Sequence, residues 1–154
     1  MKLTGPDKFE LTFDATAFQV IHPDGRRTFS GMAARVWPKL YVFAAGRQPV
    51  YVGITRRPMS ARLRMGWNAT GESGYHGYAL RHHLRAASLF IWYADHDRGP
   101  ASSRELETVE AEVAFLVRQD GQWPRFQTEI HFYRSDAAHR RLAARVVRAV
   151  AGAP

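Results

Sequence analysis

The chain has 154 residues, a net charge of +8 and an isoelectric point near 10.4. A hydrophobic content of 45% at this length is sufficient for one core and short for two. The absence of cysteine excludes disulfides, thiolate metal sites and a cysteine nucleophile, so any metal ion would be held by oxygen or histidine. The basic charge favours a polyanionic partner such as nucleic acid.

The first thirty residues predict a small β-hairpin. Residues 9–13 alternate apolar and polar side chains, as a strand with one buried face does. Residues 18–21 and 27–29 flank a turn sequence at 22–25, His-Pro-Asp-Gly. No stretch approaches the length of a membrane span and residues 1–7 lack the apolar core of a secretory signal, so we expect a cytoplasmic protein.

Two antiparallel strands are predicted next, at residues 39–44 and 49–54. Both are short runs of β-branched and aromatic residues, and the segment 45–48, Ala-Gly-Arg-Gln, joins them as a tight loop. Tyr41 and Tyr51 therefore lie on neighbouring strands, ten residues apart in the sequence.

A helix is predicted at residues 57–66, entered through Pro58. Arg62 projects from this helix, eleven residues after the second strand tyrosine. In the strand before it, Gly53 lacks a Cβ and would let a ligand or another strand approach closely.

The segment between residues 51 and 85 is rich in arginine, with six arginines and one acidic residue. Guanidinium groups match phosphate oxygens bidentately and do not titrate, so this segment predicts contacts with a nucleic-acid backbone. The arginines assigned to this role are Arg56, Arg57, Arg64 and Arg81. A solvated helix face is the alternative for each of them.

Further elements are a helix near 76–86, a strand at 88–94 and a C-terminal helix at 136–150. His76 precedes the first of these in a glycine-rich loop, where a proton carrier or an incidental surface histidine would fit. Trp67 is the tryptophan expected to be exposed and able to stack on a base. For the C-terminal helix we expect simple docking on the domain; dimerisation and phosphate contact are the alternatives.

An amphipathic helix is predicted at residues 103–118. Ser102 provides an N-terminal cap, and apolar residues recur at helical spacing. Glu112 lies on the shoulder of the apolar stripe, where a carboxylate can be half buried and still reach a cleft. Glu110 is the alternative carboxylate on the same helix.

These elements together resemble the GIY-YIG nuclease superfamily. The resemblance covers residues 39–132 and rests on an ordered set of motifs: Leu40-Tyr41-Val42, Tyr51-Val52-Gly53, Arg62, Glu112 and Pro124-Arg125-Phe126. The chain departs from the family pattern at two places. Lys39 stands where the first glycine of the signature usually stands, and Gln127 and Thr128 occupy the neighbourhood of the usual asparagine.

The resemblance implies a metal-dependent endonuclease that hydrolyses phosphodiester bonds in DNA. By similarity to the family, Tyr41 would take a proton from the attacking water and Tyr51 would orient that water or the phosphate. Arg62 would hold the scissile phosphate. Glu112 would bind a single Mg²⁺ (or Mn²⁺), a hard cation that prefers oxygen ligands. A catalytically impaired nucleic-acid-binding module with the same fold is the alternative, and an unrelated basic domain is a third.

The predicted fold class is α+β, with a small three-stranded antiparallel sheet flanked by helices. The sheet would comprise residues 39–44, 49–54 and 88–94. An N-terminal β extension at 1–38 and a C-terminal basic helix at 133–154 would extend a catalytic core at 39–132, and we expect the whole chain to form one compact domain.

Overall fold

The structure is a computed structural model that describes residues 1–96 and 99–152. Within these residues the chain forms a six-stranded antiparallel sheet and four α-helices, which confirms the α+β class. The strands are β1 (Lys2–Phe13), β2 (Phe18–Ile21), β3 (Lys39–Ala45), β4 (Gln48–Thr55), β5 (Ala86–His96) and β6 (Gly99–Pro100). The helices are α1 (Met59–Trp67), α2 (Leu80–His83), α3 (Ser103–Gln119) and α4 (Ala137–Ala151).

The sheet has the strand order β2-β1-β5-β3-β4, with β6 paired to β5. Its β5-β3-β4 part is the predicted three-stranded sheet. The prediction was incomplete because β1 pairs with β5 along most of its length, from Lys2 opposite Asp95 to Thr12 opposite Ala86. The N-terminal strands therefore continue the central sheet.

The N-terminal hairpin turns earlier than predicted. The turn lies between β1 and β2, where the Asp14 carboxylate accepts hydrogen bonds from the amides of Thr16 (2.7 Å) and Ala17 (2.9 Å). Residues 22–25 do form a turn, closed by the His22 amide and the carbonyl of residue 26 at 2.8 Å. The predicted strand at 27–29 is absent from the described sheet.

Three of the predicted helices form within a few residues of their expected bounds, and one is much shorter. The helix expected at 76–86 is reduced to α2, four residues long. Its first half is not helical, because Gly77 has a left-handed backbone (φ +71°), which an α-helix does not tolerate. The next amide, from Tyr78, donates to the carbonyl of Gly66 in α1 at 3.3 Å.

The sheet separates two apolar cores. On one face Tyr41 and Phe43 pack with α1, and on the other Leu40 and Val42 pack with α3 and α4. The buried side of α4, including Val146, packs on α3 and confirms the predicted docking of the C-terminal helix. Helices α1 and α3 thus lie on opposite faces of a sheet whose edge strand is β4.

Among the described residues, no helix is both long enough and apolar enough to cross a membrane.

Candidate active site

The two strand tyrosines lie side by side on the face of the sheet that carries α1. Tyr41 in β3 is directly opposite Gly53 in β4, and Tyr51 is two residues from that glycine, so both side chains leave the same face. Their ring centroids are 6.0 Å apart. A Cβ on Gly53 would lie 2.7 Å from the Tyr41 hydroxyl and 2.8 Å from the Tyr51 ring, so only glycine leaves room for both phenols.

Arg62 reaches this pair from α1. Its Nε donates to the Tyr41 hydroxyl at 3.0 Å and its Nη1 donates to the Tyr75 hydroxyl at 2.7 Å. The guanidinium lies 5.3 Å from the centroid of the Tyr78 ring, and the Tyr78 hydroxyl is 3.0 Å from that of Tyr41. The guanidinium is therefore fixed by phenols on several sides.

Tyr75 and Tyr78 were missed by the sequence analysis. Their signal was their position on either side of His76 and Gly77, in the loop whose glycines indicate a close backbone approach. Burial raises the pKa of the Tyr78 phenol and of the Tyr41 phenol, so both remain protonated at neutral pH.

A cavity of about 530 Å³ opens beside the edge strand β4. We call it the Arg62 cavity. Arg62 enters it from one face of the sheet and Glu110, on α3, enters it from the other, while Tyr51 and His76 also line it. Three elements that are distant in sequence, β4, α1 and α3, therefore contribute polar side chains to one space.

Glu110 is the unusual carboxylate of this cavity. Its side chain is 8% exposed and makes no hydrogen bond among the described residues. Its oxygens are not fully enclosed, because no fully buried side-chain oxygen or nitrogen in this part of the chain lacks a partner. Burial raises its pKa to about 8, and the negative charges of Glu107 and Glu129 add to this, while Arg62 opposes it. A buried carboxyl group that faces Arg62 and lacks a hydrogen bond is suited to a ligand that the cavity would accept.

Glu112 is not brought to the Arg62 cavity. It is half-buried and does not line that space, whereas Glu110 does. Two residues correspond to a rotation of about 200° around an α-helix, so these glutamates point to different sides of α3. The structure therefore places the alternative carboxylate beside Arg62 and Tyr51.

The four arginines predicted to contact nucleic acid differ in exposure. Arg56, Arg57 and Arg64 are exposed. Arg81 is 8% exposed, and its guanidinium donates to backbone carbonyls, including that of Trp67 at 2.6 Å. The prediction for Arg81 is corrected because these hydrogen bonds, which tie α2 to the end of α1, occupy the group expected to bind phosphate.

Lys39, at the position of the missing signature glycine, is fully buried. Its Nζ donates to the carbonyls of Arg35 (2.6 Å), Trp37 (2.9 Å) and Arg57 (3.1 Å). Burial lowers its pKa to about 8. Lys39 therefore holds the segment before β3 against the segment that enters α1.

The segment after α3 covers the outer edge of β4. The Gln127 Oε1 accepts a hydrogen bond from the Val52 amide at 2.9 Å, and the Phe126 amide donates to the Val50 carbonyl at 2.8 Å. Gln127 is thus used by the sheet, while Thr128, the other residue near the usual asparagine, lines the Arg62 cavity.

The expectation of an exposed Trp67 was wrong. Trp67 is 4% exposed and packs against Phe13 and Phe18, with its Nε1 donating to the Asp14 carbonyl at 3.0 Å. Trp123 is the exposed tryptophan, at 53%.

The raised pKa of Glu110 predicts a stability that falls as pH rises. The folded protein retains a proton up to about pH 8, whereas the unfolded carboxyl loses it near 4.5, so stability is complete below pH 4.5 and is lost towards pH 8. We expect Glu110→Gln, which mimics the protonated form, to match the wild type near pH 4.5 and to exceed its stability by roughly 4 kcal/mol at pH 8.5. Urea unfolding in the presence of a chelator measures this difference. A constant difference across the pH range would contradict the assignment.

Comparisons of the chain with family models, with curated proteins and with solved structures give no match.

Proposed function

We propose that the protein is a metal-dependent endonuclease that hydrolyses phosphodiester bonds in DNA. The observation that supports this proposal is the convergence of Tyr51, Arg62 and Glu110 on one cavity. These are the residue types of the GIY-YIG signature, in the same chain order and on the same kinds of element. Hydrolysis of a phosphodiester needs a bound phosphate, a stabilised negative charge and an oriented water molecule, and the three side chains can meet these needs together.

A single Mg²⁺ or Mn²⁺ is the metal ion proposed for the Arg62 cavity. Glu110 offers a carboxyl group that is 8% exposed, and its oxygens are open to the cavity, since no fully buried side-chain oxygen or nitrogen among the described residues lacks a hydrogen-bond partner. It would release its proton when the metal ion binds. In that same part of the chain, no three histidine or acidic side chains are placed to hold a metal together, so water and phosphate oxygens would complete the coordination, as Mg²⁺ prefers. A bound Mg²⁺ would neutralise negative charge at the scissile phosphate.

Arg62 would bind the scissile phosphate. A guanidinium has five N–H donors, and the hydrogen bonds to Tyr41 and Tyr75 use two of them, so donors remain for phosphate oxygens. Tyr41 is fully buried and burial raises its pKa, so its role here is to hold the guanidinium in place. This differs from the proton transfer that the family resemblance implies for it.

Tyr51 and His76 are the side chains suited to the attacking water. Tyr51 is half-buried, lines the cavity and keeps its proton because burial raises its pKa, so it would orient the water or a phosphate oxygen. His76 is exposed at the same cavity and would accept the proton of the water as its oxygen bonds to phosphorus. The bond from phosphorus to the leaving oxygen breaks, and that oxygen would take up a proton from a solvent water molecule.

The test of the proposal is cleavage of supercoiled, linear and branched DNA in Mg²⁺, in Mn²⁺ and in chelator. We expect metal-dependent cleavage that Arg62→Lys reduces roughly 10²-fold, because lysine keeps the positive charge but lacks the planar set of N–H donors that a guanidinium presents to phosphate. Arg57→Lys is the matched control, since Arg57 is exposed and does not line the cavity. Equal activity of the two variants would contradict the role of Arg62.

A nucleic-acid-binding module without catalysis is the second candidate. The complete burial and raised pKa of Tyr41 favour it, because the phenol that would act as the base by resemblance is inaccessible. DNA binding without cleavage under every metal condition would support this candidate over the nuclease.

A further inference from the structure

A second cavity lies between the N-terminal hairpin and α1, with a volume of about 710 Å³. We call it the hairpin cavity. The hairpin and the loop after it contribute Gln19, Arg27 and Thr28, and α1 contributes Ser60 and Arg64. None of these residues lines the Arg62 cavity, so this is a separate site.

The charge of the hairpin cavity is positive. Its lining contains Arg27 and Arg64 and, among the described residues, no acidic side chain. Within the same part of the chain, neither arginine takes part in an ion pair. The adjacent Arg26 differs, since it is paired with Asp24. Arg27 and Arg64 are both exposed, so their charge is available to a ligand.

The nearest acidic residue along the hairpin is occupied by its own turn. The Asp14 carboxylate accepts hydrogen bonds from Thr16 and Ala17, and these hydrogen bonds lower its pKa. Hydroxyl and amide groups from Thr28, Ser60 and the neighbouring residues supply neutral donors around the two arginines. This set suits an anion with several acceptor oxygens, and arginine is the residue that best matches phosphate geometry.

The position of the hairpin cavity on α1 relates it to the Arg62 cavity. Ser60 and Arg64 are separated by four residues and share one side of the helix, whereas Arg62 is about 200° away from Ser60, on the opposite side. An α-helix is about 10 Å across, which is close to the roughly 12 Å width of the DNA major groove. A duplex whose major groove accommodated α1 would have one backbone near each side of the helix, and so near each cavity.

We propose that the hairpin cavity binds a backbone phosphate of the nucleic acid at a position away from the bond that is cleaved. The N-terminal hairpin is then a substrate-binding element that, with α1, sets where the strand enters the Arg62 cavity. This inference rests on the proposed function, because that function identifies the ligand as nucleic acid. The residues on which it depends, Arg27 and Arg64, are not among the proposed catalytic residues of the Arg62 cavity.

The experiment measures binding of a labelled DNA duplex by fluorescence anisotropy in chelator, with Arg27→Gln, Arg64→Gln and Arg47→Gln. Arg47 is the matched control because it is exposed and lines neither cavity. We expect each of the first two variants to weaken binding roughly 10-fold and to reduce the slope of log K against log salt by about 1. The control should change binding less than about 3-fold, the effect of a remote screened charge.

Equal weakening by all three variants would overturn the inference, because it would show only a loss of overall positive charge. Cleavage by the wild type with unchanged binding in the first two variants would overturn it while the nuclease proposal stands. A parallel titration with pyrophosphate, monitored by calorimetry, tests whether the hairpin cavity binds phosphate independently of whether the protein binds DNA. Heat that depends on Arg27 and Arg64 in a protein that binds no DNA would overturn the assignment of the phosphate to nucleic acid and count against the nuclease. No binding of either ligand would overturn the inference as a whole.

Discussion

Replacing Glu110 with glutamine is expected to reduce metal-dependent DNA cleavage roughly 10²- to 10³-fold. The change preserves the shape of the side chain and removes the anionic oxygen that would hold the metal ion. Glu110 is 8% exposed and lines the Arg62 cavity. Glu107 and Glu129 also line it, but both are more exposed and each lies within 4.0 Å of a ring nitrogen of His131. The measurement is the single-turnover cleavage rate at saturating Mg²⁺.

Glu112→Gln is the matched control for this experiment. It makes the same chemical change two residues away on α3, on a side chain that does not line the cavity. We expect its cleavage rate to lie within about 3-fold of the wild type. Loss of unfolding stability cannot explain a defect in Glu110→Gln, because the neutral side chain is expected to stabilise the fold above pH 4.5. A larger defect in the control than in Glu110→Gln would contradict the assignment.

Gly66→Ala is expected to destabilise the protein by about 3 kcal/mol. The sign is opposite to that of a typical exposed helix position, where alanine is more stable than glycine by up to about 1 kcal/mol. A Cβ at Gly66 would overlap the ring of Tyr78, which is buried in the core against Trp67 and Phe43. The free energy of unfolding in urea measures the effect.

A double-mutant cycle with Tyr78→Leu identifies the cause. If the ring is what the new methyl group meets, the second substitution relieves the overlap and Gly66→Ala costs less in its presence. An unchanged cost would show that the glycine is required for another reason. The DNA-cleavage rate of Gly66→Ala is expected to fall as well, since Tyr78 contacts both Tyr41 and Arg62.

The local part of the fold could be predicted from the sequence. Alternation and turn residues identified β3, β4 and the inner strand β5, and a serine cap with a regular apolar stripe identified α3, where the Ser102 capping box is present. The pairing of β1 with β5 could not be predicted, because the paired residues are more than 70 residues apart in the sequence. An alternating pattern predicts a strand but does not indicate which other strand it pairs with.

The candidate site was predictable as a set of residue types and less so as a geometry. Tyr41, Tyr51 and Arg62 follow from strand register and helix position, and the structure brings them together. The choice between Glu110 and Glu112 depends on how α3 is rotated against the sheet. The rotation of α3 is set by its packing in the core on that face of the sheet. The spacing of its apolar residues predicts which side of the helix is buried, but not which residue at the border of that side faces the cavity.

Arg81 and Lys39 show a further limit of reasoning from charge. From the sequence, Arg81 was predicted to bind phosphate, and Lys39 was noted only as a residue that replaces the signature glycine. Both are buried and satisfied by backbone carbonyls, Arg81 at the end of α1 and Lys39 at its beginning. Free carbonyl groups at chain turns are a tertiary feature that side-chain patterning does not reveal.

The segment that covers β4 also protects the protein from self-association. An exposed edge strand offers unpaired amides and carbonyls to any other extended chain, which makes it a starting point for aggregation. Here Phe126 and Gln127 occupy groups of Val50 and Val52 that such a chain would need. Thr128 of the same segment lines the Arg62 cavity. Detachment of this segment would therefore expose the unpaired backbone groups of β4 and open the wall of the cavity at the same time.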